Sequence, residues 1–162
     1  MNNNGKKFEN NFKKSVPADI FYYRFKDGTA SWGKSDNVRF QASNICDCML
    51  FKGGILVLAE LKNHKGKSLP FTAIRDNQLK EMVAASEYKD VYPMLIVNFE
   101  DVERCYAVSI LDILHFIENS DGKKSIPIVY FEVNGFEIPC AKKKVNFTYD
   151  LEPLFINLSL GR

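Results

Sequence analysis

Two strongly apolar runs dominate the hydrophobic pattern, residues 45–51 and 55–61, and only Lys52-Gly53-Gly54 separates them. A Gly-Gly pair between two apolar runs is typical of a β-hairpin with a two-residue loop. Both faces of these two strands carry apolar side chains, which is the pattern of strands covered on both sides. The sequence therefore predicts a hairpin buried inside a sheet that other elements sandwich.

Helices and strands are interspersed along the rest of the chain. Helical spacing of apolar residues predicts helices over about 5–15, 75–89 and 110–119. Strand-like runs occupy 20–25, 93–99 and 104–110, whereas 126–162 mixes both signals and gives no definite element order. Since no repeat or linker interrupts the chain, we expect one α/β domain over residues 1–162, a mixed central β-sheet flanked by helices.

The composition excludes several classes of protein. A chain of 162 residues with 46% apolar and 13% aromatic residues can bury a core and is neither disordered nor collagen-like. No apolar run reaches the roughly 18 residues that a membrane helix needs. The start, Met1 to Lys7, has no apolar stretch and does not read as a secretory signal.

Four cysteines lie among strand-like apolar residues, without the dense spacing of a disulfide framework: Cys46, Cys48, Cys105 and Cys140. An alternative interpretation is that Cys46 and Cys48 form half of a zinc site, together with His64, but the sequence lacks the second tight pair of ligands that such a site usually has. We favour packed, reduced thiols, which predicts a cytoplasmic protein.

Charge is unevenly distributed along the chain, although its total is only +2. Residues 1–74 carry 12 basic and 6 acidic side chains, whereas residues 75–121 carry 4 basic and 10 acidic ones. The small total is therefore a cancellation, and the basic first part is able to form a face that attracts phosphates. Mixed, solvated surfaces explain the same charges equally well.

The predicted hairpin brings three charged residues together. With Gly53-Gly54 as its loop, Asp47 lies opposite Glu60, and Lys62 shares the face of Glu60 because side chains alternate along a strand. Two opposed carboxylates repel each other, and a divalent cation relieves that repulsion; hard oxygen ligands favour Mg²⁺. The alternative is a structural ion pair in which Lys62 only neutralises the two carboxylates.

These residues and several other segments carry a family resemblance. Asp47 followed by Glu60-Leu61-Lys62 resembles the signature of the PD-(D/E)XK nuclease superfamily. Three further segments resemble RecU-type Holliday-junction resolvases and are more specific. They are Gly5-Lys6-Lys7-Phe8-Glu9, the stretch from Lys62 to Phe71 followed by Asp76-Asn77-Gln78, and Gly122-Lys123-Lys124-Ser125-Ile126-Pro127. The resemblance implies a restriction-endonuclease-like fold and a homodimer that cuts four-way DNA junctions at paired positions.

The resemblance also implies a role for each residue of the site. Asp47, Glu60 and the backbone carbonyl of Leu61 would bind Mg²⁺, with Mn²⁺ able to substitute, and Gln78 would contact the metal through a water. Lys62 would orient the attacking water or stabilise the pentavalent phosphate. Glu9 would reach the site from the N-terminal helix; its alternative is a surface pair with Lys13 four residues on.

Contacts to DNA are expected from basic and aromatic side chains, namely Lys6, Lys7, Lys13, Lys14, Trp32, Lys34, Arg39, Lys65 and Lys67. Residues 26–43 stand where the family has a stalk that enters the junction, and an aromatic and basic loop suits that role. Trp32 is also a candidate anchor of a dimer interface.

The sequence departs from the family pattern in two places. Ile45 stands where the family has a threonine two residues before the catalytic aspartate, and Asn77 stands where it often has histidine. Asn44 and Ser43 are the polar neighbours that could replace the missing hydroxyl. The alternatives to a resolvase are therefore another PD-(D/E)XK endonuclease of repair or phage origin, and a non-catalytic DNA-binding protein on the same fold.

Overall fold

The computed structural model describes residues 3–26 and 44–161, in which five helices are interspersed among ten strands. The helices are α1 Asn3–Ser15, α2 Asp76–Ala85, α3 Ile110–Glu118, α4 Ile128–Asn134 and α5 Glu152–Leu160. The strands are β1 Phe21–Arg24, β2 Cys48–Lys52, β3 Ile55–His64, β4 Ser68–Pro70, β5 Val91–Phe99, β6 Arg104–Ser109, β7 Ser125–Pro127, β8 Phe136–Ile138, β9 Cys140–Lys143 and β10 Asn146–Tyr149. A short 3₁₀ turn covers Phe71–Ala73.

Six of the strands form one mixed sheet in the order β1-β2-β3-β5-β6-β8. The central pair β3 and β5 is parallel, and the other neighbours are antiparallel. Two small ribbons, β4–β7 and β9–β10, lie outside this sheet. The predicted class, an α/β fold with a mixed central sheet flanked by helices, is confirmed. None of the helices in the described ranges is long and apolar enough to cross a membrane.

The predicted hairpin is β2–β3, with the predicted register. Lys52 pairs with Ile55, and Met49 pairs with Leu58. Gly53 and Gly54 both have positive φ, 57° and 83°. This is what a two-residue loop matching the twist of the flanking strands requires, and glycine adopts it without steric cost.

Alternation along the strands sends side chains into two separate cores. On one face, Leu50 and Val57 pack with Phe8 and Phe12 of α1. On the other face, Leu58 packs with side chains of α2 and α3, such as Met82 and Ile113. The same alternation places Glu60 and Lys62 on the second face. Because the family resemblance implies catalytic roles for these two residues, the second face is called the catalytic face below.

The second helix is shorter than the periodicity predicts, ending at Ala85 rather than near residue 89. The Ser86 hydroxyl donates to the Val83 carbonyl at 2.6 Å, which competes with continuation of the helix. The chain then passes through Asp90, whose φ is 62°, into β5. The extra predicted residues are therefore the connection to the next strand.

The cysteines are free thiols, three of them buried. Cys46 and Cys48 point into different cores, Cys48 toward α1 and Cys46 toward the catalytic face. The Cys46 thiol donates to the Cys48 carbonyl at 3.2 Å. The two sulfurs are thus packed as core groups on opposite sides of the sheet.

Adding a single methyl group at Gly135, which lies between α4 and β8, should have a large effect on stability. A Cβ at this residue would lie 2.6 Å from the Phe131 carbonyl oxygen and 2.7 Å from Cγ2 of Val108. Because neither contact is the free end of a flexible side chain, Gly135→Ala should lower the free energy of unfolding by about 1–3 kcal/mol. Urea unfolding followed by circular dichroism measures this change.

Gly5→Ala is the matched control, because nothing lies within 4 Å of a Cβ at Gly5 in α1. That variant should gain about 0.5–1 kcal/mol through helix propensity. Equal stability of the two variants would contradict the packing described at Gly135.

Candidate active site

The candidate site lies where β2 begins and β3 nears its end. The ladder pairs Cys48 with Ala59, but the Asp47 N–H also donates to the Ala59 carbonyl, at 3.2 Å. In a β-bulge, two residues of one strand lie opposite a single residue of the other strand. Such a bulge redirects a side chain at the end of a ladder. The regular pairing stops one residue before Asp47, so the direct pairing of Asp47 with Glu60 that the register predicts is not part of the ladder. The two carboxylates are nevertheless close enough for the charge of Glu60 to raise the pKa of Asp47.

Glu60 is the most buried charged side chain of the site. Only 4% of the residue is exposed, so its carboxylate needs hydrogen-bond partners. Oε1 accepts from the Lys62 ammonium at 2.8 Å, and Oε2 accepts from Nε2 of Gln78 at 3.1 Å. A cation from the same strand and an amide from α2 therefore fix the Glu60 carboxylate in one position.

Asp47 lies beside this carboxylate and is held by the backbone of the opposite strand. Its Oδ2 accepts from the Leu61 N–H at 2.8 Å. Burial, and then the negative charge of Glu60, raise the pKa of Asp47 to about 7, although the Leu61 hydrogen bond and the Lys62 charge act in the other direction. The protein therefore holds two carboxylates close together at a free-energy cost, as a site for a cation does.

Gln78 contributes a buried oxygen without a partner. The residue is 6% exposed on α2. Since the Glu60 carboxylate only accepts hydrogen bonds, the amide must turn Nε2 toward it, and Nε2 also lies 3.4 Å from the Asn44 carbonyl. Among the described residues no group donates to Gln78 Oε1. A buried acceptor left open beside two carboxylates suits a water molecule that a metal ion holds.

The oxygen atoms at this site fit Mg²⁺. Two carboxylates, the Leu61 carbonyl predicted from the resemblance, and a water held by Gln78 are all hard ligands. In the described part of the chain, no group of three or more His, Cys, Asp or Glu side chains is placed to bind a metal. Mg²⁺ suits such a sparse site because it is usually bound by one or two carboxylates and keeps several waters.

Glu9 lies near the site, but its partner in the structure was not among the two possibilities that the sequence suggested, a role in the site or a pair with Lys13. Its Oε2 accepts from Nε of Arg24 at 2.9 Å and from NH2 of the same side chain at 2.8 Å. Its negative charge is also among the causes that raise the pKa of Asp47. In place of the alternative surface pair with Lys13, Glu9 forms a pair with Arg24 on β1. The catalytic role of Glu9 stays a prediction.

The predicted DNA-contacting residues are distributed over several surfaces. Lys6, Lys7, Lys13 and Lys14 are exposed on α1, which covers the face of the sheet opposite α2. Lys65 and Lys67 are exposed just beyond the end of β3. Trp32, Lys34 and Arg39 of the expected stalk lie outside the described residues. The roles of all these side chains stay predictions.

The position of the missing threonine is apolar in the structure as well. Ile45 is half-buried and packs against the core of the catalytic face. The Asn44 side chain donates to the Lys26 carbonyl at 2.7 Å, so its amide nitrogen is turned toward that backbone. The part of Asn44 that approaches Gln78 is its backbone carbonyl, and Ser43 lies outside the described residues. Sequence reasoning missed this carbonyl and Arg24, because neither stands at an informative spacing from the carboxylates.

Comparison with known proteins identifies the family. The sequence profile described as "RecU: Recombination protein U" matches residues 6–151, which is most of the chain. This chain belongs to the RecU family. The resemblance inferred from the segments around Glu9, Glu60 and Gln78 is thereby confirmed.

Two individual proteins are similar to this RecU-family chain. The SPbeta prophage-derived uncharacterized protein YotM of Bacillus subtilis (strain 168) is 36% identical over 168 residues, covering 94% of this chain and 85% of that protein. Hjc of Archaeoglobus fulgidus, described as a Holliday junction resolvase from an archaeal hyperthermophile, superposes with a TM-score of 0.53 at 15% identity. The superposition covers 82% of this chain and 95% of Hjc, and it shows a shared fold.

Replacing Gln78 by alanine should reduce DNA cleavage by this RecU-family chain by about 10–100-fold. The Glu60 carboxylate would lose its donor from α2, and the open Oε1 acceptor would disappear. Changes in groups that support metal ligands typically have effects of this size. The measurement is the single-turnover rate of junction cleavage at several Mg²⁺ concentrations, and high Mg²⁺ should restore part of the rate.

Asn77→Ala serves as the control, because Asn77 is the exposed neighbour on the same helix. It should cleave at nearly the wild-type rate. An equal loss in both variants would mean that α2 acts through stability rather than through contact with Glu60.

Proposed function

We propose that this chain is an Mg²⁺-dependent, structure-selective DNA endonuclease that resolves four-way junctions by paired phosphodiester hydrolysis. Membership of the RecU family and the fold shared with a Holliday junction resolvase support the reaction class. The single observation that carries the proposal is the buried pair Asp47 and Glu60, with Lys62 donating to Glu60. A pair kept only for stability would not need the costly carboxylate at Asp47.

Each residue of the site has a defined task in this proposal. Asp47, Glu60 and the Leu61 carbonyl would hold Mg²⁺, and Gln78 would accept from one of its waters. When bound, the metal would lower the charge at the scissile phosphate and stabilise the leaving 3′-oxygen. Glu9 would reach the site from α1, and Arg24 donates a hydrogen bond to its carboxylate.

Lys62 has the most direct task among the side chains. Its ammonium lies on the open side of Glu60, with 21% of the side chain exposed, compared with 5% for Glu60. There it would orient the water and stabilise the negative charge of the pentavalent phosphate. The water oxygen would form a bond to phosphorus while the water gives up a proton to solvent, and the bond to the 3′-oxygen would break as that oxygen takes up a proton from solvent.

Resolving a four-way junction needs two symmetrical cuts. One chain carries one such site, so we propose a two-fold homodimer with a site in each subunit. The exposed lysines on α1 and after β3 would contact phosphates, so that the binding of DNA depends on salt and not on base sequence.

Cleavage of three DNA substrates tests the proposal. Purified protein is incubated with a four-way junction, a flap and a linear duplex, in Mg²⁺ and in EDTA. The expected result is paired, symmetrical cuts in the junction alone, in Mg²⁺ alone. Cutting of all substrates at equal rates would replace the resolvase by a general nuclease. Binding without cutting, unchanged in Asp47→Ala, would contradict both enzymatic functions.

A further inference from the structure

The ribbon β4–β7 brings a distant pair of lysines to the catalytic face. Ser68 pairs with Pro127 and Pro70 pairs with Ser125, and the two serine hydroxyls are 2.6 Å apart. At the ends of the ribbon, the Ile128 N–H donates to the Lys67 carbonyl at 2.8 Å, and the Phe71 N–H donates to the Lys124 carbonyl at 2.9 Å. Lys124 is thereby fixed beside the segment that follows Lys62 along the chain.

The ribbon lies on the same side of the sheet as the candidate site. Its buried side chains, Leu69 and Ile126, belong to the core that contains Leu58 of β3 and Met82 of α2. Gln78, one turn before Met82, reaches Glu60 from this side. Side chains that project from the ribbon toward solvent are therefore placed at the rim of the catalytic face.

Four lysines at this rim differ from Lys52, Lys62 and Lys142, because they form no salt bridge with the residues that the structure describes. Within the described ranges, Lys52, Lys62 and Lys142 each have a carboxylate oxygen within 3 Å. The four rim lysines are all exposed; they are Lys65, Lys67, Lys123 and Lys124. Their charges are therefore available for a polyanion.

Local contacts fix the backbone of the turn that carries two of these lysines. The Lys123 N–H donates to the Ser120 carbonyl at 3.0 Å, and Gly122 has a φ of 77°. The Lys123 ammonium lies 5.5 Å from the centre of the Phe116 ring, which keeps its side chain against α3. Part of the entropy cost of ordering this lysine on DNA is thus removed in advance.

We propose that Lys123 and Lys124, together with Lys65 and Lys67, form a phosphate-binding surface for the duplex arm next to the cleavage point. Lys67 and Lys124 flank opposite ends of the ribbon, about 14 Å apart at roughly 3.4 Å per residue. Along the helix axis a DNA strand advances about 3.4 Å per nucleotide, so the surface covers an axial length of about four nucleotide steps. This inference rests on the proposed function and names further residues that bind its substrate.

The test compares two double variants that remove the same charge. Lys123→Gln with Lys124→Gln alters the rim, whereas Lys143→Gln with Lys144→Gln alters an exposed pair where β9 ends and the turn to β10 begins, near the opposite core. The measurement is fluorescence anisotropy of a labelled junction in EDTA at several salt concentrations, together with the melting temperature of each protein.

The rim variant should bind the junction at least about tenfold more weakly in low salt. The slope of log K against the logarithm of the salt concentration should become smaller in magnitude by about 2. The β9 variant should keep the wild-type slope. An equal, small change in both variants would overturn the inference. If the wild-type protein binds the junction but cuts no DNA in Mg²⁺, the proposed function would be overturned. The comparison of junction binding between the two variants would still test the phosphate-binding surface.

Discussion

Glu60→Gln is expected to reduce junction cleavage at least about a thousandfold while the protein still folds and binds DNA. The change keeps the shape of the side chain and removes one negative charge from a site where only 4% of the residue is exposed. Lys62 would lose its charged partner, and the site would lose a ligand for Mg²⁺. A thousandfold loss corresponds to about 4 kcal/mol of transition-state stabilisation.

Single-turnover cleavage in Mg²⁺, with junction binding measured in parallel, provides the comparison. Glu81→Gln on α2 makes the same chemical change at an exposed carboxylate and should leave the rate unchanged. Cleavage by Glu60→Gln within tenfold of wild type would show that this carboxylate is part of a structural ion pair only.

Asp47→Asn is expected to abolish cleavage and, without metal, to make the protein more stable at neutral and higher pH. Asp47 is buried and lies beside Glu60. Burial and the negative charge of Glu60 both disfavour the charged form of Asp47. Asparagine has the same shape, and its oxygen can still accept from the Leu61 N–H. We therefore expect a gain of at least about 1 kcal/mol above pH 7, or about 2–4 °C in melting temperature.

The pH range of this effect follows from the sign of the pKa shift. The folded state raises the pKa of Asp47 from 3.8 to about 7, so between these values the folded protein binds more protons than the unfolded chain. The stability of the wild type therefore falls as pH rises through this range, and the penalty is complete above about pH 7. The advantage of Asp47→Asn should shrink toward zero below about pH 4.

Melting curves in EDTA from pH 4 to 8.5 measure this difference, with Glu81→Gln as the control that should show none. Adding Mg²⁺ should raise the melting temperature of the wild type and have little effect on Asp47→Asn, since a ligand stabilises only the state that binds it. A variant that is less stable than wild type at pH 8 in EDTA would contradict the electrostatic cost assigned to Asp47.

The hairpin and its register could be predicted from the sequence because they depend on local rules. Gly53-Gly54 defines the loop, and the period of two then places Glu60 and Lys62 on one face. The position of Asp47 was less determined, because a bulge at Ala59 changes the pairing at the end of the ladder. The predicted direct pairing with Glu60 is therefore absent from the ladder, and the Leu61 N–H holds the Asp47 carboxylate within reach of the Glu60 charge.

The remaining features depend on contacts between distant segments. The Glu9–Arg24 pair joins a helix to a strand, and no periodicity relates the two residues. Each strand of the β4–β7 ribbon has three residues, one of which is proline, so neither strand shows a clear pattern. The open oxygen of Gln78 depends on the direction of its amide, which the Glu60 carboxylate determines only after folding.

Diffraction from crystals soaked in Mn²⁺, recorded where manganese scatters anomalously, tests directly whether Asp47 and Glu60 bind a metal. A peak is expected within about 2.3 Å of the Asp47 and Glu60 carboxylates and the Leu61 carbonyl, with a water between the metal and Gln78. The Mn²⁺ concentration should be one at which the same protein cuts the junction. Cleavage at that concentration without a peak between Asp47 and Glu60 would contradict the proposed metal site.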